Sequence, residues 1–346
     1  MSWLPPDEDD EGFDAWDESD VRVRPNPKGN KPRSKTRPDH DDAVDARVLS
    51  VDRGRYTVLV DEDGPDERVV TAARARELRK QAIVTGDRVD VVGDSSGDEG
   101  SLARIVRIQP RTTLLRRSAD DSDEVERIIV ANADQLLIVV AAANPEPRPR
   151  LVDRYLVAAY DAGIAPIMVI TKTDLADPEP FLQNFVALDI PIIRSAQDGG
   201  AIAAWPLAEL TPLLDGHSTV AVGHSGVGKS TLVNALVPGT DRAVGIVNAV
   251  TGRGRHTSSS TVSLRVPTGG WIIDTPGVRS FGLGHVDTAN ILRSFADLAA
   301  VAADCPRGCT HLSDAPDCAL NEAVAEGRLP EARVDSLQRL LTTLTG

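Results

Sequence analysis

The chain has 346 residues, 41% of them hydrophobic and 26% charged, and carries a formal net charge of −14. That length and composition fit two or three globular domains, and the acidic balance excludes a uniformly basic nucleic-acid coat while leaving room for a local basic patch. No apolar run approaches the roughly 20 residues of a spanning helix, so no membrane association is expected.

Residues 1–42 read as a disordered charged tail, acidic first and then basic around VRVRPNPKGNKPRSKTRP, because so little apolar surface cannot offset the entropy of ordering. The basic part is either a solubilising segment or an arm that touches RNA phosphates. The acidic opening has neither the basic nor the apolar region of a secretory signal, so the expected location is the cytoplasm. Short strands are predicted at 46–51, 56–60, 68–70, 88–93 and 102–108, punctuated by glycine turns, as in a small OB-like or SH3-like barrel.

From about 128 the pattern changes. RIIVANADQLLIVVAAA reads as a buried parallel strand, residues 150–163 as a helix and 164–170 as a strand. Residues 181–189 read as helical, with strands at 190–195, 218–223 and 271–277 and a helix opening at 229. Strands alternating with helices predict a doubly wound α/β domain.

Gly223-His224-Ser225-Gly226-Val227-Gly228-Lys229-Ser230 fits G-x-x-x-x-G-K-[ST], followed by Thr231. Its glycines let backbone N–H groups wrap a phosphate at a helix N-terminus. Lys229 would reach the β- and γ-phosphates, and Ser230 would bind Mg²⁺. Asp274-Thr275-Pro276-Gly277 follows an apolar strand, so Asp274 can hold Mg²⁺ through water and the Gly277 N–H can meet a γ-phosphate. Thr171-Lys172-Thr173-Asp174 resembles the [NT]-K-x-D guanine reader. A carboxylate there accepts from guanine N1–H and the N2 amine, which adenine lacks, and a site built for such bonds rejects their absence strongly. The Lys172 stem can pack along the base. Ser195-Ala196, at the end of the next strand, resembles the motif whose backbone meets guanine O6. The base readers precede the phosphate loop, which reverses the usual order and marks a circular permutation of the G domain. This order also suggests that loss of the γ-phosphate would move the C-terminal region directly.

Three cysteines, all between 305 and 318, join a histidine in Cys305-x₃-Cys309-x-His311-x₆-Cys318. Three thiolates and one imidazole close a tetrahedral, structural zinc site. After it, Val334, Leu337, Leu341 and Leu344 form an apolar helical stripe, read as core.

Together these segments, with GRGRHTSS and DTPGVRSFGL, resemble the RsgA (YjeQ) family of permuted GTPases over residues 43–346. The resemblance implies a cytoplasmic GTP hydrolase acting late in maturation of the small ribosomal subunit, binding that subunit and its rRNA and stimulated by it. It implies that 252–257 is switch I, with Thr257 a Mg²⁺ ligand. Val278 stands where Ras-like enzymes carry a water-orienting glutamine, and His256 is the candidate replacement. The family commonly spaces its zinc ligands C-x₄-C-x-H-x₅-C, so here the first gap is one shorter and the last one longer, with the ligand identities kept. The expected fold class is an α/β P-loop GTPase domain (128–286), circularly permuted, with an N-terminal OB-like β-barrel (43–112), a linker (113–127) and a C-terminal helical zinc-binding domain (287–346). Two other readings stay open: a GTP-binding signalling or tethering module with little turnover, and a P-loop ATPase. Arg111, Arg116 and Arg117 are candidate RNA contacts, and monomer is the default state.

Overall fold

The computed structural model describes residues 40–78, 81–118, 126–196, 206–239, 261–275 and 281–344. Five strands open it: β1 (Val44–Asp52), β2 (Arg55–Val60), β3 (Arg68–Arg74), β4 (Arg88–Gly93) and β5 (Ala103–Ile108). Alternating inward residues, among them Val48, Val58, Val70, Ala72, Val89 and Ile105, fill a shared interior. Pairing runs β1-β2-β3-β5-β4 and closes through β4 on β1, with only β3 and β5 parallel. This is the expected five-stranded barrel, with the strand order of an OB fold.

Within the stretch read as a linker, β6 (Leu114–Ser118) pairs with β7 (Glu126–Ala131) in a two-stranded antiparallel sheet. The single strand expected from 128 is therefore two. The chain breaks at Asn132, whose φ is +57° and whose side chain accepts from Thr112 N at 2.9 Å and donates to Gly86 O at 3.0 Å. The central strand proper is β8 (Gln135–Ala141), buried along its whole length.

β8 leads into a sheet with β9 (Ala165–Thr171), β10 (Ile192–Arg194), β11 (Ser218–Gly223), β12 (Val262–Arg265) and β13 (Trp271–Asp274), in the order β10-β9-β8-β11-β13-β12. All neighbours are parallel except β12, which runs antiparallel to β13. Strand periodicity sends Leu136, Ile138 and Val140 to one face and Leu137, Val139 and Ala141 to the other. The second face is covered by α3 (Leu207–Leu214) and α4 (Lys229–Leu236). The first is covered by α1 (Pro149–Asp161), which starts with proline in its first turn. The helix expected over 181–189 shortens to α2 (Glu179–Leu182) and a 3₁₀ turn. The Asn184 side chain takes the Phe181 carbonyl at 2.8 Å, in competition with the next helical bond.

The C-terminal region forms α5 (Thr288–Arg293), α6 (Ala296–Ala302), α7 (Ala319–Ala325) and α8 (Glu331–Thr342). Asp287 caps α5 by accepting from Ala289 N at 2.9 Å. The predicted stripe of α8 is core: Val334, Leu337 and Leu341 are buried and Leu344 packs beside them. They belong to one buried cluster with Tyr155 and Leu156 of α1 and Ile138 and Val140 of β8, and α8 packs on α1, so α5–α8 share one core with the α/β sheet. Among the described residues, no helix is long and apolar enough to cross a membrane.

Candidate functional site

The phosphate-loop sequence folds as its residue types require. Gly223 ends β11 where a Cβ would lie 2.5 Å from Val139 O, so only glycine allows the strands to meet there. Gly228, at φ +96°, turns the chain into α4, which begins at Lys229. Val227 is buried in the core beneath the loop and anchors it, while Ser225, Gly226, Ser230 and Thr231 face solvent. The result is a concave run of backbone at a helix N-terminus, suited to an anion. Lys229, largely buried, forms an ion pair with Asp274 at the end of β13, and Thr275 beside it donates to Ala221 O at 2.8 Å. The cation of the loop and the carboxylate expected to serve Mg²⁺ are thus in contact across two adjacent parallel strands.

The TKTD segment is tied to the same loop. The buried Thr171 hydroxyl donates to Val227 O at 2.6 Å. Lys172, at φ +57°, donates to Gly226 O at 2.9 Å and to Asn144 O. Thr173 N donates to Ser195 O at 3.2 Å, and Ser195 N to Ile170 O at 2.8 Å, so the Ser195-Ala196 end of β10 lies against the TKTD turn. Asp174 is exposed at the rim. The sequence separated these motifs by up to 60 residues, and the parallel sheet brings them to the same C-terminal strand ends, where α/β sheets bind ligands. Thr257, His256 and Gly277 lie outside the described residues.

The four metal candidates also converge. Ligand atoms of Cys305, Cys309, His311 and Cys318 all lie within 4.8 Å of one another. Cys305 Sγ is 3.6 Å from His311 Nδ1 and 4.0 Å from Cys318 Sγ, which is itself 4.0 Å from His311 Nδ1. A tetrahedron with metal–sulfur bonds of about 2.3 Å has edges near 3.8 Å, so the group fits a metal ion despite its altered spacing. Backbone amides of His311 and Ala319 donate to Cys309 and Cys305 sulfurs at 3.4 and 3.3 Å, which favours thiolate character. Desolvation pushes the Cys309 thiol up to about 11, with the neighbouring sulfurs adding to the shift, and burial lowers His311. A cation among the four reverses that balance.

The arginines fare differently. Arg111 is bound to the fully buried Asp87 carboxylate at 2.6 and 2.8 Å and to Ala82 O, so it is structural rather than a free contact. Arg116 is partly buried in the β6–β7 hairpin, whereas Arg117 is exposed. The sequence reading missed a denser group on the barrel. Arg55 and Arg104 flank Ala73 in register across β2, β3 and β5, with Arg53, Arg74 and Arg76 nearby, all five exposed. Among the described residues, none of the five makes an ion pair. No local sequence signal links Arg55 to Arg104, which only the pairing register through Ala73 brings side by side.

Comparison with known proteins agrees with this arrangement. The RsgA GTPase family model matches residues 108–284. A relative from Pseudomonas syringae pv. syringae, called small ribosomal subunit biogenesis GTPase RsgA, is 41% identical over 271 residues, 76% of this chain and 75% of its own. One of the same name from Pseudomonas aeruginosa is 37% identical over 270 residues, 76% of each chain. The crystal structure of YjeQ from Thermotoga maritima superposes with a TM-score of 0.63 at 26% identity, covering 88% of this chain and 99% of that one. YloQ, described as a circularly permuted GTPase, shares the fold at a TM-score of 0.62 and 24% identity, over 90% of this chain and 98% of its own. With the TKTD and Ser195-Ala196 strands ahead of the 223–230 loop, and with these matches, the chain belongs to the RsgA GTPase family.

Proposed function

We propose that the protein hydrolyses GTP as a late maturation factor of the small ribosomal subunit, and that this subunit stimulates the reaction. The observation that carries the reading is the lock between base reader and phosphate loop: Thr171 on Val227 O and Lys172 on Gly226 O. Asp174 then reads guanine N1–H and N2, with Ser195-Ala196 at O6. Residues 223–231 hold the phosphates, Lys229 stabilises charge on the transferring phosphoryl group, and Gly277 meets the γ-phosphate. Ser230, Thr257 and Asp274 would hold Mg²⁺, which would offset charge on the phosphates, and His256 would orient the water. On nucleotide binding, Lys229 exchanges its Asp274 partner for phosphate oxygens, which frees the carboxylate for the metal. The Cys305, Cys309, His311 and Cys318 group holds one structural zinc.

The partner follows from the relatives' name, and the barrel supports it. Arg55 and Arg104, side by side across Ala73 and in no ion pair among the described residues, give a chain of net charge −14 a local polyanion footprint of the kind rRNA phosphates fill. On this reading the protein works as a monomer in the cytoplasm. The test is GTP turnover by the purified protein alone and with small subunits, large subunits and whole ribosomes, with ATP and Lys229→Ala as controls. Stimulation by small subunits alone is expected. Tight GTP binding with no stimulation by any particle would favour a tethering module instead.

A further inference from the structure

The hairpin β12–β13 connects the two switch segments: residues 252–257 precede it and Asp274 ends it. It is also the edge of the α/β sheet, and the barrel grips that edge along its length. Ser50 of β1 pairs with Val262, so the barrel wall and the sheet are continuous. The Thr85 hydroxyl donates to Thr261 O at 3.2 Å. At the far end of β12, Arg265 binds Glu67 at 2.7 and 2.9 Å and also pairs with Asp63. Trp271, at the start of β13, lies between the guanidinium groups of Arg47 and Arg265, 5.1 and 5.4 Å from its ring. Its indole N–H donates to Glu62 at 2.7 Å, and the same carboxylate takes Arg47 at 3.0 Å and Arg88 at 2.5 Å.

A second seam holds the barrel to β7 of the separate two-stranded sheet, which carries no switch. Thr85 bridges Val130, and Gly86 approaches Ala131 O so closely that a Cβ would lie 2.1 Å from it. The barrel therefore straddles an anchored seam at β7 and a grip on the strand pair between the switches. A strand is stiff along its length, and only two residues lie between Trp271 and Asp274. A shift of β13 on exchange of nucleotide has to be taken up by the barrel loop 61–67, which supplies Glu62, Asp63 and Glu67.

We propose that the β12–β13 hairpin couples the nucleotide state to the barrel through Trp271 and Arg265, and that a ligand on the barrel biases nucleotide affinity by the same route in return. The proposal rests on nucleotide binding at the loop 223–230. Its test is hydrogen exchange on the full chain with Mg²⁺ and either GDP or a non-hydrolysable GTP analogue. Amides of 61–68 should differ between the two states by at least about threefold in exchange rate. Arg265→Ala, at a side chain 39% exposed, should abolish that difference while both nucleotides still protect 223–230. The paired exchange of Arg265→Glu with Glu67→Arg should restore it. Equal rates at 61–68 in the wild-type chain, or a difference that survives Arg265→Ala, overturn the proposal. Protection of 223–230 in the same samples reports the nucleotide site separately.

Discussion

Removing α8 should abolish folding of the GTPase unit, although α8 lies beyond every nucleotide motif. The perturbation is a chain ending at Leu329. Val334, Leu337, Leu340 and Leu341 are 2%, 0%, 0% and 5% exposed, and they pack in one cluster with Tyr155, Leu156 and Ile138. Four such side chains at roughly 1.5–3 kcal/mol each amount to roughly 6–12 kcal/mol of burial, an upper estimate because unfolded chains are partly compact. That is comparable with the whole stability of a domain, about 5–15 kcal/mol. The deletion also removes Arg333, which binds Asp297 at 3.0 Å and covers the Phe295 ring, and Arg339, which binds Asp153. Circular dichroism melting and titration with a fluorescent GTP analogue are the assays. Loss of cooperative melting together with loss of GTP binding is expected. Leu337→Ala provides the graded version, with a loss of about 3–5 kcal/mol. A truncated chain that melts cooperatively and binds GTP with unchanged affinity would refute the shared core and make α8 an appendage.

Asp174→Asn should weaken GTP binding by about 10²–10⁴-fold, as two bonds to a charged acceptor at roughly 1.5–3 kcal/mol each are lost or weakened. Unchanged GTP affinity by the same titration would dismiss Asp174 as the base reader. Cys318→Ser, at a residue 1% exposed, should take metal content by mass spectrometry from one ion per chain toward none. Retention of a full equivalent would sink the four-ligand site. Arg339→Leu removes the counterion of Asp153, whose carboxyl burial already holds above its ordinary value. The loss should be about 2–3 kcal/mol near neutral pH, below the range for a fully buried pair because Arg339 is 32% exposed. A folded-state value raised above the unfolded one means the folded chain holds a proton that the unfolded chain releases. The deficit should therefore shrink as pH falls toward the ordinary aspartate range. A pH-independent deficit in urea melts would contradict that assignment.

Chemistry that needs fixed residue types at fixed spacing was legible in the sequence. The loop 223–230, TKTD and the Cys/His group declare themselves because phosphate, guanine and a soft metal each constrain a short run. Long periodic elements were legible as well: α1, β9, β11 and α4 lie within a residue or two of their predicted bounds. What escaped depends on partners distant in sequence. β12, Val-Ser-Leu-Arg, is too short and mixed to declare itself and exists because β13 and β1 pair with it. Arg265 and Glu67 are 198 residues apart, and Trp271 and Glu62 are 209 apart, so no local pattern joins them. Arg111 looked like a free cation because the buried Asp87 that claims it belongs to a different turn of the barrel.

The permuted order invites a lever in which the second switch runs straight into the C-terminal helices and swings them. The packing argues for a different division of labour. Just beyond 276–280, Phe281 is wholly buried, stacks edge-on against Tyr155 with centroids 5.6 Å apart, and gives its carbonyl to Arg154 at 3.2 Å. Gly282 N donates to Arg116 O at 3.1 Å. The chain is thus pinned to α1 and to the β6–β7 hairpin before α5 begins, and α5–α8 then share the core of the sheet itself. Close-packed interiors resist continuous deformation, so a swing of these helices would have to break that core. The barrel's grip on β12 and β13 consists instead of hydrogen bonds, ion pairs, cation–π contacts and one strand pair, not of a shared apolar core. Within this fold the C-terminal helices form a fixed base on the sheet, which leaves β12 and β13 as the route of the proposed coupling to the barrel.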